Sequence, residues 1–136
     1  MGRSASSQPS HDPAAVAAWQ QKLAGLTSDV RAWAEQQQWQ VVEEQHTITE
    51  NGTPPYPVAA LRITLPEGEV RLEPITMGGQ WWAPRVELAA WPSLHRVHLI
   101  DQGGGWVIKT LSGIDYPMPW NRDTFLHLAR ALAAAP

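Results

Sequence analysis

Residues 58–75, VAALRITLPEGEVRLEPI, decide the fold because they hold two alternating segments joined by a tight connection. Apolar side chains take every second position in both segments: Leu61, Ile63, Leu65, Val70 and Leu72. A period of two is typical of half-buried β-strands, and Gly68 tolerates a positive φ at the turn. The stretch therefore predicts an antiparallel hairpin with Arg62 and Arg71 on the face opposite the apolar one.

The same alternation recurs on both sides of this hairpin. It predicts four further strands, WQVVEEQHTIT (39–49), APRVELAAW (83–91), LHRVHLI (94–100) and WVIKTL (106–111). The prolines of ENGTPPYP (50–57) predict a lengthened loop between the first two strands. Since no helical segment interrupts the strands, we predict a six-stranded antiparallel meander.

A long helical pattern precedes the strands. Asp12 and Pro13 provide an N-cap followed by proline at the first helical position. Apolar residues then follow at spacings of three and four: Val16, Trp19, Leu23, Leu26, Val30 and Trp33. We predict one helix that continues through Gly25; the alternative is a break there, with a second cap at Thr27 or Ser28.

A shorter helix closes the chain. Asn121 is a good N-cap, and Trp120 and Phe125 stand at the spacing of a hydrophobic staple. We therefore predict an α+β fold in which the long N-terminal helix and the C-terminal helix pack on one face of the sheet. In this prediction residues 12–136 form a single domain and residues 1–11 form a disordered tail.

Composition and charge exclude several classes of function. The chain has 136 residues, a formal net charge of −3 and no cysteine. Disulfides, thiolate metal sites and thiol nucleophiles are therefore excluded, and the charge gives no general attraction to nucleic acid or acidic membranes. Neither a secretory signal nor an apolar run of membrane-spanning length is visible. We expect a cytoplasmic protein without membrane association.

The sequence contains no motif that names a reaction. On a strand, His95 and His98 point to opposite faces, so their spacing does not suit a metal site. The glycines at 103–105 fit a hairpin turn rather than a phosphate loop, because no helix follows them. We therefore expect no catalytic residues, no metal and no cofactor in a non-enzymatic protein.

The tryptophans divide between the two faces of the predicted sheet. Trp82 and Trp106 take buried positions, whereas Trp81 and Trp91 take positions on the opposite side, which we call the open face. The candidate binding residues of the open face are Trp81, Arg85, Trp91, Arg96, His98, Arg62 and Arg71. The alternation predicts only two acidic residues among them, Glu73 and Glu87.

Two interpretations of the open face compete. In the first, arginines and glutamates pair across strands and form a solvated ladder that needs no ligand. In the second, guanidinium groups and tryptophan rings form a recognition surface. A register slip of one residue would exchange the two faces, so the assignment depends on the strand pairing.

A proline-rich connector, residues 112–121, joins the last strand to the final helix. Its structural interpretation is a strap that sets the angle at which the helix approaches the sheet. Its functional interpretation is the rim of a ligand pocket formed by Asp115, Tyr116 and Trp120.

We expect a small protein-binding module, adaptor-like or chaperone-like, that contacts another protein through the open face or the long helix. Part of the helix is expected to pack against a second copy in a homodimer, because its apolar stripe is narrow and extends beyond a small domain. One alternative is a small-molecule-binding protein or small enzyme with a pocket under the connector. Another is single-stranded nucleic-acid binding, against which the negative net charge argues.

Overall fold

In chain order, one helix precedes a six-stranded sheet and a second helix follows it, as the sequence predicts. The computed structural model of the chain describes residues 12–50, 52–79 and 83–136, and the predicted tail over residues 1–11 lies outside this part. In chain order the elements are α1 (Pro13–Gln36), β1 (Gln40–Glu50), β2 (Thr53–Leu65), β3 (Gly68–Thr76), β4 (Arg85–Trp91), β5 (Arg96–Asp101), β6 (Trp106–Lys109) and α2 (Arg122–Ala134). Consecutive strands are antiparallel neighbours, so the predicted α+β meander is confirmed.

Helix α1 is continuous. Its N-cap is Asp12, whose Oδ1 accepts a hydrogen bond from the Ala15 N–H at 2.7 Å. The helix passes through Gly25 without a break, and a Cβ at that position would meet no atom within 4 Å. Most of the apolar stripe is buried: Trp19, Leu23, Leu26 and Val30, with Val16 and Trp33 partly buried beside them. The stripe therefore belongs to the core of its own chain.

The strand register confirms the two faces of the sheet. Leu61 pairs with Leu72 and Ile63 pairs with Val70, and all four side chains are buried in the core. Helix α1 lies against β1 and β2, whereas α2 lies against β3 and β4. Further strands add buried side chains to the same core: Val86, Leu88, Val97, Leu99 and Ile108. One hydrophobic core thus joins the sheet to both helices.

Strand β2 is longer than predicted. Residues 53–57 belong to the strand, so the prediction of a loop lengthened by the prolines is wrong. It contains three prolines: Pro54, Pro55 and Pro57. Since β2 pairs with β3 only over residues 61–65, its first half has β1 as its single neighbour. Proline has no N–H to donate to a neighbouring strand. A strand with one neighbour forms no ladder hydrogen bonds on its other side, so it tolerates proline.

Helix α2 is capped and stapled as predicted. The Asn121 Oδ1 accepts a hydrogen bond from the Thr124 N–H at 2.9 Å. The ring centroids of Trp120 and Phe125 are 5.9 Å apart in an edge-to-face arrangement. Within the described ranges, neither helix has both the length and the apolar character needed to cross a bilayer.

Replacing Asn121 by Ala is expected to lower the free energy of unfolding by about 1 kcal/mol, because the Thr124 N–H loses its acceptor. Denaturant unfolding followed by tryptophan fluorescence measures the loss. Asn121→Ser keeps a capping oxygen and is expected to stay within about 0.5 kcal/mol of the parent chain. An equal loss in both variants would contradict capping as the cause.

Candidate interaction surface

The open face carries most of the predicted binding residues. Strand register places these charged and aromatic side chains on it: Glu44, His46, Arg62, Glu69, Arg71, Glu73, Arg85, Glu87, Trp91, Arg96, His98 and Lys109. Both helices pack on the other side of the sheet. Trp81, predicted for this face, and Trp82, predicted for the core, lie outside the described residues.

Arg62 and Arg71 share the carboxylate of Glu69. The Arg71 Nε lies 2.6 Å from Glu69 Oε2, and the Arg62 Nε lies 3.6 Å from the same oxygen. Arg62 also donates a hydrogen bond to Glu44 at 3.2 Å, and this bond lowers the pKa of Glu44. His46 lies 3.4 Å from the other oxygen of Glu44. This half of the open face is therefore a ladder of opposite charges.

The other half of the open face is built around Glu87. Its carboxylate lies 3.2 Å from Arg96 and 3.6 Å from His98. Burial lowers the pKa of His98 and the positive charge of Arg85 lowers it further, so the imidazole is neutral at pH 7. Within the described part of the chain, no carboxylate lies within ion-pair distance of Arg85, and its Nε has no hydrogen-bond partner. The charge of Arg85 is thus uncompensated by those residues.

The alternation in the sequence undercounts the acidic side chains of this face. It predicts Glu73 and Glu87, but Glu44 and Glu69 lie there as well. Glu69 adjoins the β2–β3 turn, and the side on which Glu44 falls depends on how β1 and β2 are connected. The open face therefore resembles the paired ladder of the first interpretation over most of its area.

Trp91 departs from this pattern. Its side chain is 47% exposed at the end of β4, where it pairs with Glu69 of β3. The Arg71 guanidinium carbon lies 4.2 Å from the ring centroid, and Glu69 holds the same guanidinium through Nε. A cation stacked on one side of the indole orders the ring and leaves its outer side open. Leu94, also 47% exposed, follows in the β4–β5 turn.

The connector after β6 lies along the outer side of that strand. Asp115 forms a backbone bridge with Lys109 and an ion pair of 2.5 Å with its ammonium group. The Tyr116 N–H donates to the Ile108 carbonyl at 2.9 Å, while Trp120 packs on the start of α2. These contacts fit the interpretation as a strap. A pocket beneath the connector stays a prediction.

An open depression of about 500 Å³ lies elsewhere, on the outer side of α2. It is lined by Glu67, Asp123, Leu126, His127, Arg130, Ala131 and Ala134. Most of these side chains are exposed, so a small molecule would gain few buried contacts there. In the three described ranges, no group of three or more histidines and carboxylates is placed to bind a metal.

A polar anchor around Glu50 is not predicted from the sequence. The Glu50 carboxylate accepts hydrogen bonds from the Tyr56 hydroxyl at 2.6 Å, the Met77 N–H at 3.2 Å and the Thr76 hydroxyl. Burial raises the pKa of Tyr56 and the bond to Glu50 raises it further, so the phenol stays protonated and remains the donor. The carboxylate is occupied by these donors and is therefore an anchor rather than a general base. It ties the β1–β2 hairpin to the end of β3.

No protein-family model matches the chain, and neither a curated protein nor a solved structure is significantly similar to it. The candidates for function come instead from the described part of the chain: the open face, the connector after β6 and the depression on α2. Of these, the open face presents an ordered aromatic side chain to solvent at Trp91.

Proposed function

We propose that this chain is a small non-enzymatic protein-binding module that works in the cytoplasm as a homodimer. The contact with the partner protein is centred on Trp91, Arg71 and Leu94, which we call the Trp91 patch. The observation that carries the proposal is that Trp91 remains 47% exposed although its ring is stacked against a guanidinium.

The chemistry of the Trp91 patch suits a binding hot spot. Tryptophan and arginine are the side chains that most often dominate the energy of protein interfaces. The Trp91 ring is ordered by Arg71, which in turn is oriented by Glu69, so binding restricts little additional side-chain motion. Leu94, three residues after Trp91 in the chain, adds a second exposed apolar side chain. The patch is thus ordered before a partner arrives.

A fitting partner offers an apolar side chain or a proline ring to the indole of Trp91 and an oxygen acceptor to Arg71. Arg71 bonds Glu69 through Nε, and its terminal nitrogens make no hydrogen bond within the described residues. A carbonyl or carboxylate group of the partner would accept from these nitrogens. The expected partner surface is therefore apolar at its centre, with an acceptor at its rim.

The other predicted contacts have less support. The apolar stripe of α1, on which a helix-mediated contact depends, is buried in the chain's own core. Binding of single-stranded nucleic acid requires uncompensated basic side chains. On the open face Glu44, Glu69 and Glu87 neutralise most of them.

Site-specific photo-crosslinking tests the proposal. A photoreactive phenylalanine derivative replaces Leu94, so that Trp91 and Arg71 stay intact, and the chain is irradiated in its native cells. Because the patch is expected at the centre of the contact, discrete protein adducts should form. Adding Arg71→Ala should reduce their yield about fivefold, which corresponds to roughly 1 kcal/mol of binding energy.

The matched control carries the same photoreactive group at Ile114, which is 66% exposed on the connector. Adducts that form from position 94 and not from position 114 support the Trp91 patch. The absence of adducts from position 94, or the same adducts from both positions, would contradict it. Adducts with nucleic acid instead of protein would favour the nucleic-acid alternative.

A further inference from the structure

The two edge strands of the sheet differ in how they are covered. The outer side of β6 is occupied by the connector, where the Thr110 N–H donates to Ile114 and the Tyr116 N–H donates to Ile108, both at 2.9 Å. On the other edge, β1 pairs with β2 and with no other strand in the described part of the chain. An uncovered edge presents a row of unpaired N–H and C=O groups to another strand.

Several devices that protect edge strands are missing from β1. The strand is 11 residues long, contains no proline, glycine or lysine, and pairs regularly with β2 as far as Ile48. It does contain glutamates, which disfavour a neighbour that places carboxylates opposite them. The edge of β1 is therefore able to pair with a strand that places no carboxylates opposite these glutamates.

The outward-facing backbone groups of β1 follow from the β2–β3 turn. Leu65 and Gly68 close a two-residue turn and form a hydrogen-bonded pair, so odd-numbered residues of β2 bond to β3. Even-numbered residues of β2 then bond to β1. As far as Ile48, the residues of β1 whose N–H and C=O groups point outward are consequently Val41, Glu43, Gln45 and Thr47.

We propose that β1 pairs antiparallel with β1 of a second copy of this chain, about a two-fold axis at Gln45. Gln45 is the midpoint of the strand, so this register pairs all of its residues. It places Glu44 opposite His46 of the second copy, and the symmetry produces this contact twice. Registers centred on Glu43 or Glu44 would place identical carboxylates opposite each other, which is unfavourable.

Pairing in this register joins two six-stranded sheets into one continuous sheet. The two-fold axis is perpendicular to the sheet, so the open faces of both copies lie on the same side. Both Trp91 patches then point toward the same side, which permits two contacts with one partner assembly. This inference rests on the homodimer of the proposed function, but not on the Trp91 patch.

Single-cysteine variants test the register, because the chain has no cysteine of its own. In the proposed pair the two Gln45 Cα atoms lie about 5.5 Å apart, within disulfide range. Gln45→Cys should therefore form a covalent dimer under mild oxidation. Thr49→Cys is the matched control, because its two copies lie roughly 27 Å apart along the strands. A mixture of Glu43→Cys and Thr47→Cys should crosslink to each other.

Light scattering at micromolar concentration gives the second measurement. Gln45→Pro removes an outward N–H without removing a bond to β2, and we expect it to raise the Kd of the dimer by about tenfold or more. Gln45→Ala keeps the N–H and is expected to stay within about twofold of the parent chain. Circular dichroism checks that both variants are folded, and the cysteine variants decide the outcome if Gln45→Pro is not.

A parent chain that is monomeric at micromolar concentration would overturn the inference together with the proposed homodimer. A dimer in which Gln45→Cys does not crosslink would overturn the proposed pairing of β1 about Gln45 and leave the homodimer standing. Neither result alters the photo-crosslinking outcome at position 94, so failure of the dimer and failure of the partner contact are distinguishable. Crosslinking at Gln45 but not at Thr49 supports the register.

Discussion

Replacing Phe125 by Ala is expected to lower the free energy of unfolding by about 3–5 kcal/mol, the largest effect that we expect. The side chain is fully buried, with 0% exposure. Three tryptophan rings surround it: Trp33, Trp39 and Trp120, with centroid distances of 5.9, 6.3 and 5.9 Å. Because these rings come from α1, the residue before β1 and the residue before the N-cap of α2, they cannot all move into the cavity that the alanine leaves.

Urea unfolding followed by tryptophan fluorescence measures this effect, since the probes line the cavity. Leu111→Ala is the control, because Leu111 is a large apolar residue that is 57% exposed. Its truncation is expected to change stability by less than about 0.5 kcal/mol. We call Phe125 and the three tryptophans around it the aromatic cluster. Similar losses of unfolding free energy in the two variants would show that this cluster does not hold α2 in place.

The second large effect is expected for Glu50→Ala, at about 3 kcal/mol. Hydrogen bonds to a charged group contribute about 1.5–3 kcal/mol each, and they do not add fully. The alanine removes the acceptor of the Tyr56 hydroxyl and the Met77 N–H, on two residues that are nearly buried. It also releases the first half of β2, which has no pairing with β3 to hold it.

Glu43→Ala is the matched control for this variant. Glu43 lies on the same strand and has an exposed ion pair of 3.4 Å with Arg31. Such pairs contribute between zero and about 1 kcal/mol, so the control is expected to remain close to the parent chain. Comparison of the two urea midpoints provides the measurement. A loss in Glu43→Ala as large as that in Glu50→Ala would mean that acidic charge on β1, rather than the anchor, determines stability.

Much of this fold is predictable because its signals are local. The caps at Asp12 and Asn121 act within one turn of their helices, and both are confirmed. The alternation over residues 61–72 depends only on the pleat, and its faces are confirmed by the register. Short connections then leave antiparallel pairing as the direct solution for neighbouring strands.

What sequence analysis missed depends on contacts between distant segments. The prolines before residue 58 would exclude a strand only if β2 had neighbours on both sides there. The prolines do not reveal that β3 leaves this half of β2 unpaired. The Glu50 anchor collects donors from Tyr56, Thr76 and Met77, and no spacing rule joins these positions. A carboxylate in a proline-rich stretch has the appearance of a loop residue.

The Trp91 patch is predictable from the sequence only in part. The pleat alone places Arg71 and Trp91 on one face, and the structure agrees. Their stacking depends on the β3–β4 register, which sets Trp91 opposite Glu69 and so beside Arg71. The loop that joins these strands is long enough to permit several registers, so the sequence predicts a shared face but not a contact.

The order of the strands has a consequence for how the chain folds. Each strand pairs with its neighbour in the chain, so most hairpins close a short loop and lose little loop-closure entropy. The β3–β4 loop is the longest of these connections. The contact of Trp33 with Trp120, at 5.8 Å, closes a loop that contains the entire sheet. Formation of the sheet shortens that loop before the helices meet. The aromatic cluster is therefore expected to complete the folding reaction rather than to nucleate it.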